Sequence, residues 1–336
     1  MDVLKTLLNL CEVNSLSGNE DEIDIFLEKE LKKYSKNIIK TPTKSIILKL
    51  NENENKKPKI MLEAHLDCVG MIVKSITKDG FLEILNCGGL DLKMLISKEV
   101  LVLGKKPLTG FIFKNLDEKE KKLKIENLLV DVNLNEEKAK ELINVGDSIV
   151  FKYNPVILKD DKVSVRSLDD RASIAAIFLV LEKLKEKDLN CEILVCFSSQ
   201  EETTQMGAKT ATFLETPDIA ISVDVSFAKT LNCKEGSIGE MNKGPLIGIS
   251  PILDKNLTNK LIEIAKEKNI PFQLEIMNGK THTNADEIAT TKSGVKTVLC
   301  SIPIKNMHTP IETIKISDIK NTAELIYHFI ISSKEV

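Results

Sequence analysis

Apolar and polar positions along the chain fall into three successive textures. In the first, "LKTLLNLC" and "EIDIFLEKELKKY" carry apolar residues at helical spacing, and "SGNE" between them offers Ser17 and Glu20 as a capping box. "SIILKL" and "KIMLEAH" are short apolar runs bounded by polar turns, which predicts strands, and "NENENKKPK" reads as a polar turn. Past Gly70 the runs shorten. "MIVKSI", "FLEIL", "EVLVLG", "TGFIF", "LLVDV" and "DSIVFKY" predict closely spaced strands, with a turn at Lys78-Asp79-Gly80 and one helix at "NEEKAKELI". From residue 165 onward helix and strand patterns alternate: "DDRASIAAIFLVLEKLKEK", "CEILVCFSS", "TTQMGAKTATFL", "IAISVDVS", "LTNKLIEIAKEK", "FQLEIM", "KTVLCSI" and a closing helix from Ser317.

Such alternation predicts a mixed β-sheet covered by helices, so the fold class is α/β. The order α/β, β-rich, α/β is explained by a small β domain inserted into one α/β domain. Residues 1–70 and 163–336 then form the larger unit and residues 71–162 the insert. The insert has apolar strands but little length for a core of its own, so it is expected to bury surface against another subunit as well.

Composition narrows the function. A chain of 336 residues with 47 basic and 50 acidic side chains, net charge −3, has no electrostatic footprint for nucleic acid or an anionic membrane. Its most apolar stretch, "ASIAAIFLVL", is about half the length of a membrane span. The opening "MDVLKTLLNLCEVNS" lacks a basic region followed by a small-residue cleavage site. Cys11, Cys68, Cys87, Cys191, Cys196, Cys233 and Cys300 are scattered and odd in number. They read as small buried hydrophobes in a reducing compartment, and the expected location is cytoplasmic.

Polar residues break the apolar pattern where strands end, the place where open α/β sheets bind ligands. They are His65 and Asp67 after "KIMLEA", Asp169 and Asp170 in "VRSLDDRA", Glu201 and Glu202 after "CEILVCFSSQ", Asp224 after "IAISV" and His308 after "VLCSIPIKNM". Singly, each has an ordinary reading: a histidine at a strand end, helix-start carboxylates at 169–170 and 201–202, loop residues at 224 and 308. Together they form the donor set of a dinuclear site. Divalent ions such as zinc or cobalt take imidazole and carboxylate ligands, and two of them about 3.5 to 4 Å apart need a bridging carboxylate. A further carboxylate must stay off the metals as general base, and Asp67 is spare to orient His65.

The chain resembles the metallopeptidase family of tetrahedral (TET) and glutamyl aminopeptidases, which includes proteins once labelled cellulase M. The resemblance runs from "SGNE" through "AHLDCVG", "NCGGLD", "LLVDV", "VGDSIVF", "SLDDRA", "QEETTQMGA", "SVDVS" and "KGP" to "IPIKNMHTPIE". It implies a zinc-peptidase-like sheet flanked by helices, with a small β-barrel-like dimerisation domain inserted. Two divalent ions per subunit are implied, zinc or cobalt first and manganese also compatible. Position by position, His65 and Asp224 match the terminal ligands of one ion and Glu202 and His308 those of the other. Asp169 matches the bridge, Glu201 the general base and Asp67 the residue that orients His65. The implied reaction is removal of N-terminal residues from peptides, and the implied assembly is a homodimer building a homododecamer.

Some positions depart from the family pattern. Cys68 stands where Glu is usual, Ser173 and Thr204 where Gly is usual, "NMH" replaces an aromatic before the last histidine, and in "THTNADEIA" Asn284 replaces Asp with His282 as an added imidazole. None removes a ligand. Two other readings stand beside the aminopeptidase: a metal-binding member with altered or lost peptidase activity, and a paired-carboxylate glycosidase, in which the two histidines have no place.

Overall fold

The computed structural model describes every residue except 53–56, 116–122, 186, 231–237 and 333–336. The polar turn read at 51–59 falls partly, and Cys233 wholly, outside the described residues. The strands are β1 (Ile38–Lys40), β2 (Ile46–Leu50), β3 (Lys59–His65), β4 (Gly70–Ile76), β5 (Leu82–Cys87), β6 (Glu99–Leu103), β7 (Pro107–Lys114), β8 (Leu128–Asp131), β9 (Ser148–Phe151), β10 (Val156–Leu158), β11 (Lys162–Ser164), β12 (Glu192–Ser198), β13 (Ile219–Phe227), β14 (Leu246–Ile249), β15 (Gln273–Ile276), β16 (Lys296–Ile304) and β17 (Thr313–Lys315). The helices are α1 (Val3–Glu12), α2 (Asp21–Leu31), α3 (Leu92–Leu95), α4 (Glu136–Leu142), α5 (Leu168–Leu184), α6 (Met206–Glu215), α7 (Lys255–Glu267), α8 (Ala285–Ala289) and α9 (Ile316–Ser332).

An eight-stranded sheet in the order β1-β2-β12-β3-β13-β16-β14-β15 carries the fold. Its centre, β12, β3, β13 and β16, is parallel. Parallel strands are covered on both faces, and these four are accordingly near-continuous apolar runs, buried along almost their whole length. Helix α5 is buried at nearly every position and packs against α1, α9 and the sheet. Helix α1 shows the amphipathic alternative: Val3, Leu7, Leu10 and Cys11 face inward, and Asp2 caps its start by accepting the Lys5 N–H at 3.1 Å.

Strands β4 to β9 close into a barrel in the order β4-β5-β8-β7-β6-β9. Met71, Val73, Leu82, Val100, Ile112 and Val130 belong to a core inside it, separate from that of the large sheet. The expectation that this stretch is too short for a core of its own is therefore corrected: closure pairs every strand edge and turns alternate side chains inward, so about eighty residues suffice. Strands β10 and β11 form a small antiparallel sheet with β17.

The capping box at Ser17 and Glu20 does not form. Gly18, at φ +88°, turns the chain so that Glu20 accepts the Gly18 N–H at 2.6 Å, while the Ser17 hydroxyl meets that of Thr203 at 2.9 Å. The six described cysteines are free thiols, and all but the half-buried Cys87 are buried. Among the described residues no helix is long and apolar enough to cross a membrane.

Candidate metal centre and active site

The sheet delivers the candidate residues to one edge. His65 closes β3 level with Ser198, the last residue of β12; Glu201 and Glu202 follow in the turn after β12. Asp224 lies on β13 level with Ser301 of β16, and His308 stands in the loop between β16 and β17 at φ +61°. Asp169 and Asp170 sit at the entry to α5 with non-helical dihedrals and a cis peptide bond between them. Neither acts as a helix cap. Glu201 and Glu202 likewise precede α6, which begins at Met206.

Asp169 is at the centre of the cluster. Its Oδ1 lies 3.0 Å from His65 Nε2 and its Oδ2 3.2 Å from His308 Nε2. On the first side His65 Nε2 is also 3.9 Å from Asp224 Oδ1. On the second, His308 Nε2 is 3.3 Å from Glu202 Oε2. The candidate ligand atoms form two groups, His65, Asp169, Asp170 and Asp224 in one and Asp169, Glu202 and His308 in the other, each within 4.8 Å of one another. Only Asp169 belongs to both.

Other carboxylates hold the backbone that carries these residues. Asp67 accepts the Glu201 N–H at 2.9 Å and the Glu202 N–H at 3.1 Å, and its Oδ1 lies 3.5 Å from His65 Nδ1. Asp170 accepts the His65 N–H at 3.2 Å. Glu312 accepts the N–H of Asp169 at 3.1 Å and of His308 at 2.8 Å, bracing both halves of the cluster. Glu201 Oε1 accepts from the Gln205 amide at 3.0 Å. Sequence reasoning gave Gln205 and Glu312 no role and left Asp170 as a helix-start carboxylate. Glu312 closes the "HTPIE" segment; nothing local distinguishes an acid that braces two distant amides.

Charge is unbalanced in this cluster. Burial pushes the carboxyls of Asp170, Glu202 and Asp224 well above their usual range, with neighbouring acids adding to the rise. It lifts Glu201 to about 7, and, with Asp169 nearby, Glu312 to about 8. Burial works against a charged His65, but the bonds to Asp169 and Asp67 outweigh it and raise the imidazole. Asp169 is held low because the two imidazoles overcome its burial. Arg171, buried close by, spends its guanidinium on the Leu66 carbonyl at 2.7 Å and the Ser15 hydroxyl. One oxygen of Glu202 and one of Asp170 are buried without a hydrogen-bond partner among the described residues. Buried carboxylates in excess of protein cations, with oxygens left free, are the condition that divalent ions relieve. The donors are nitrogen and oxygen only, as borderline ions accept.

The cluster opens into a cavity of about 540 Å³ whose further lining includes Ser226, Phe227, Glu275, Met277, Lys280 and His282. Of the departures from the family pattern, His282 and Met307 of the "NMH" segment reach this cavity. Cys68 donates its thiol to the Ser15 carbonyl at 3.2 Å, and Asn284 donates to Glu63 at 2.7 Å and Ser198 at 2.9 Å beneath the sheet edge.

A test of the bracing follows from Glu312. In Glu312→Gln one acceptor oxygen becomes an NH₂ facing an N–H, so one buried amide loses its partner. The variant should stay folded, lose about 1 to 3 kcal/mol of stability and retain less divalent metal through dialysis than the parent chain. Denaturant titration and metal analysis check this; unchanged stability and metal content would remove Glu312 from the site's support.

Comparison with known proteins places the chain. A family profile described as M42 glutamyl aminopeptidase matches residues 44–325. A putative aminopeptidase of Acetivibrio thermocellus is 31% identical over 330 residues, covering 97% of each chain. The lysyl aminopeptidase of Pyrococcus furiosus is 31% identical over 278 residues, 80% of each. Among solved structures, the Pyrococcus horikoshii TET1 peptidase, described as assembling into a tetrahedron or a large octahedral shell, superposes at a TM-score of 0.86 with 26% identity, covering 98% of this chain and 99% of its own. The chain belongs to the M42 glutamyl aminopeptidase family and is a peptidase of the TET aminopeptidase fold.

Proposed function

We propose that the chain is a dinuclear metal-dependent aminopeptidase that removes N-terminal residues from peptides. His65 and Asp224 would hold one divalent ion, Glu202 and His308 the other, and Asp169 would bridge them; zinc or cobalt suits the donors best and manganese is compatible. The observation that carries the reading is the placement of the two Asp169 oxygens, one against each imidazole. Bound there, the ions would polarise the scissile carbonyl and acidify a water.

The remaining work belongs to side chains of this chain. Glu201 borders the cavity beside the cluster; among the described residues its backbone N–H donates to Asp67 and its carboxylate accepts from Gln205. It is the group positioned to take the proton of the attacking water and pass it to the leaving amine. A carboxyl whose affinity for protons is raised toward neutrality by burial suits both halves of that transfer. Asp67 holds the turn bearing Glu201 and Glu202 by both backbone N–H groups and faces His65 Nδ1, which fixes the ring so that Nε2 points to Asp169.

We extend the proposal to assembly and location. Residues 71–162, whose strands from Gly70 to Phe151 form the barrel, are read as the dimerisation domain, with residues 1–70 and 163–336 as the catalytic domain. Phe111 and Val145 support this, being 51% and 68% exposed on the barrel unit. TET relatives form dodecamers and larger shells, and a homodimer building a homododecamer is the corresponding state here. Free thiols favour the cytoplasm.

Two experiments follow. Metal content measured beside steady-state kinetics separates adjacent glutamates: Glu201→Gln should keep its metal while kcat falls by roughly 10² to 10⁴, whereas Glu202→Gln should lose metal and recover in part with excess. Near-normal kcat in Glu201→Gln, or equal metal loss in both, would refute the assignment. For assembly, light scattering at micromolar concentration should give a dimer or a multiple of it; a strict monomer would reject the barrel interface.

A further inference from the structure

Glu275 is an acid on the wall of the cavity that the proposed chemistry leaves unused. It sits on β15 beside Gly248 of β14, where the lateral neighbour has no side chain to block it. Its carboxylate accepts from the hydroxyl of Ser226 on β13, although β14 and β16 stand between the two strands in the sheet order. Among the described residues no lysine, arginine or histidine nitrogen lies within ion-pair distance of it. Ser226 follows Asp224 by two positions on β13, so both side chains leave the same face. The Ser226–Glu275 pair therefore lies about 6 to 7 Å along the strand from the candidate metal ligand, and the four-carbon stem and ammonium of a lysine span about the same distance. Met277 and Phe227 add apolar surface to the same cavity wall.

We propose that Glu275 is a specificity-determining residue that selects peptides whose N-terminal residue has a basic side chain. The proposal rests on the aminopeptidase reading of the same cavity. With its carbonyl at the Asp169 cluster, an N-terminal lysine or arginine lays its aliphatic stem along Phe227 and Met277 and brings its charge to Glu275, the way amphipathic side chains divide their two ends. A half-buried acid with only the hydroxyls of Ser226 and Ser301 beside it has lost part of its water, and burial raises its carboxyl accordingly; an arriving cation relieves that cost. The other charged groups of the wall do not compete for this role. Asp286 is satisfied by the Thr281 N–H and hydroxyl, both at 2.8 Å, and the His282 N–H at 3.0 Å, while Lys280 and His282 are exposed.

The test uses the metal-loaded full chain. Kinetics on lysyl, arginyl, leucyl and glutamyl p-nitroanilides are compared for the parent and Glu275→Gln, and calorimetry measures free L-lysine against L-norleucine, its isostere without the ammonium. Lysyl and arginyl substrates should be favoured over leucyl by about 10- to 100-fold in kcat/KM, the discrimination available to a charged hydrogen-bonded contact. Glu275→Gln should erase that preference through KM and leave the leucyl substrate within about 3-fold. L-Lysine should bind the parent more tightly than L-norleucine, a result that stands if the variant does not fold. An unchanged lysyl-to-leucyl ratio in Glu275→Gln, a preference for glutamyl substrates, or equal binding of the two amino acids would overturn the assignment. Absence of hydrolysis for every substrate would instead overturn the aminopeptidase reading, with the calorimetry still deciding whether the pocket takes a cation.

Discussion

Carboxylates gathered at one sheet edge around two imidazoles repel one another, and in a mostly buried setting water and salt screen that repulsion only weakly. The arrangement persists because its acids are split between two tasks. Asp67, Asp170 and Glu312 accept backbone N–H groups from the segments that carry the others. Asp169, Glu202 and Asp224 aim oxygens at the imidazoles, at distances from 3.0 to 3.9 Å. The outer acids spend their charge on amide dipoles and fix the geometry; the inner ones offer their oxygens to a cation on the proposed reading. Four segments of the site are thus tied together through carboxylates: the end of β3 to the entry of α5, that entry to the loop after β16, and the turn after β12 to Asp67.

Much of this was legible in the order of residues. Apolar runs such as "KIMLEA" and "IAISV" are central parallel strands, and the polar residues that end or interrupt them stand at the carboxyl edge where β3, β12, β13 and β16 deliver them together. A run that turns polar inside a buried sheet carries its own signal, because a buried charge without partners is costly. What stayed hidden was set by contacts between distant segments. Glu312 and Gln205 look like ordinary loop residues until the fold brings Asp169, His308 and Glu201 to them. The capping box at Ser17 and Glu20 fails for a related reason: Thr203, far along the chain, draws away the serine that the local pattern assigns to the helix. The short strands β1, β10 and β17 have too few residues to show a period.

The departures from the family pattern follow the same division between support and surface. Cys68 and Asn284 lie behind the site, where a thiol meets a carbonyl and an amide meets Glu63 and Ser198. They change how the sheet edge is packed without touching the cluster. His282 instead faces the cavity. On the proposed reading, the candidate metal ligands and the candidate side-chain pocket are separate residues on the same strand, Asp224 in the first and Ser226 in the second.

The central claim is that Asp169 joins two metal positions. Anomalous diffraction from crystals grown with zinc tests it most directly. The account predicts two peaks per chain, about 3.5 to 4 Å apart, one between Asp169 and the His65–Asp224 pair and the other between Asp169 and the Glu202–His308 pair. A single peak under excess zinc, or peaks that leave Asp169 outside the coordination of either ion, would contradict it.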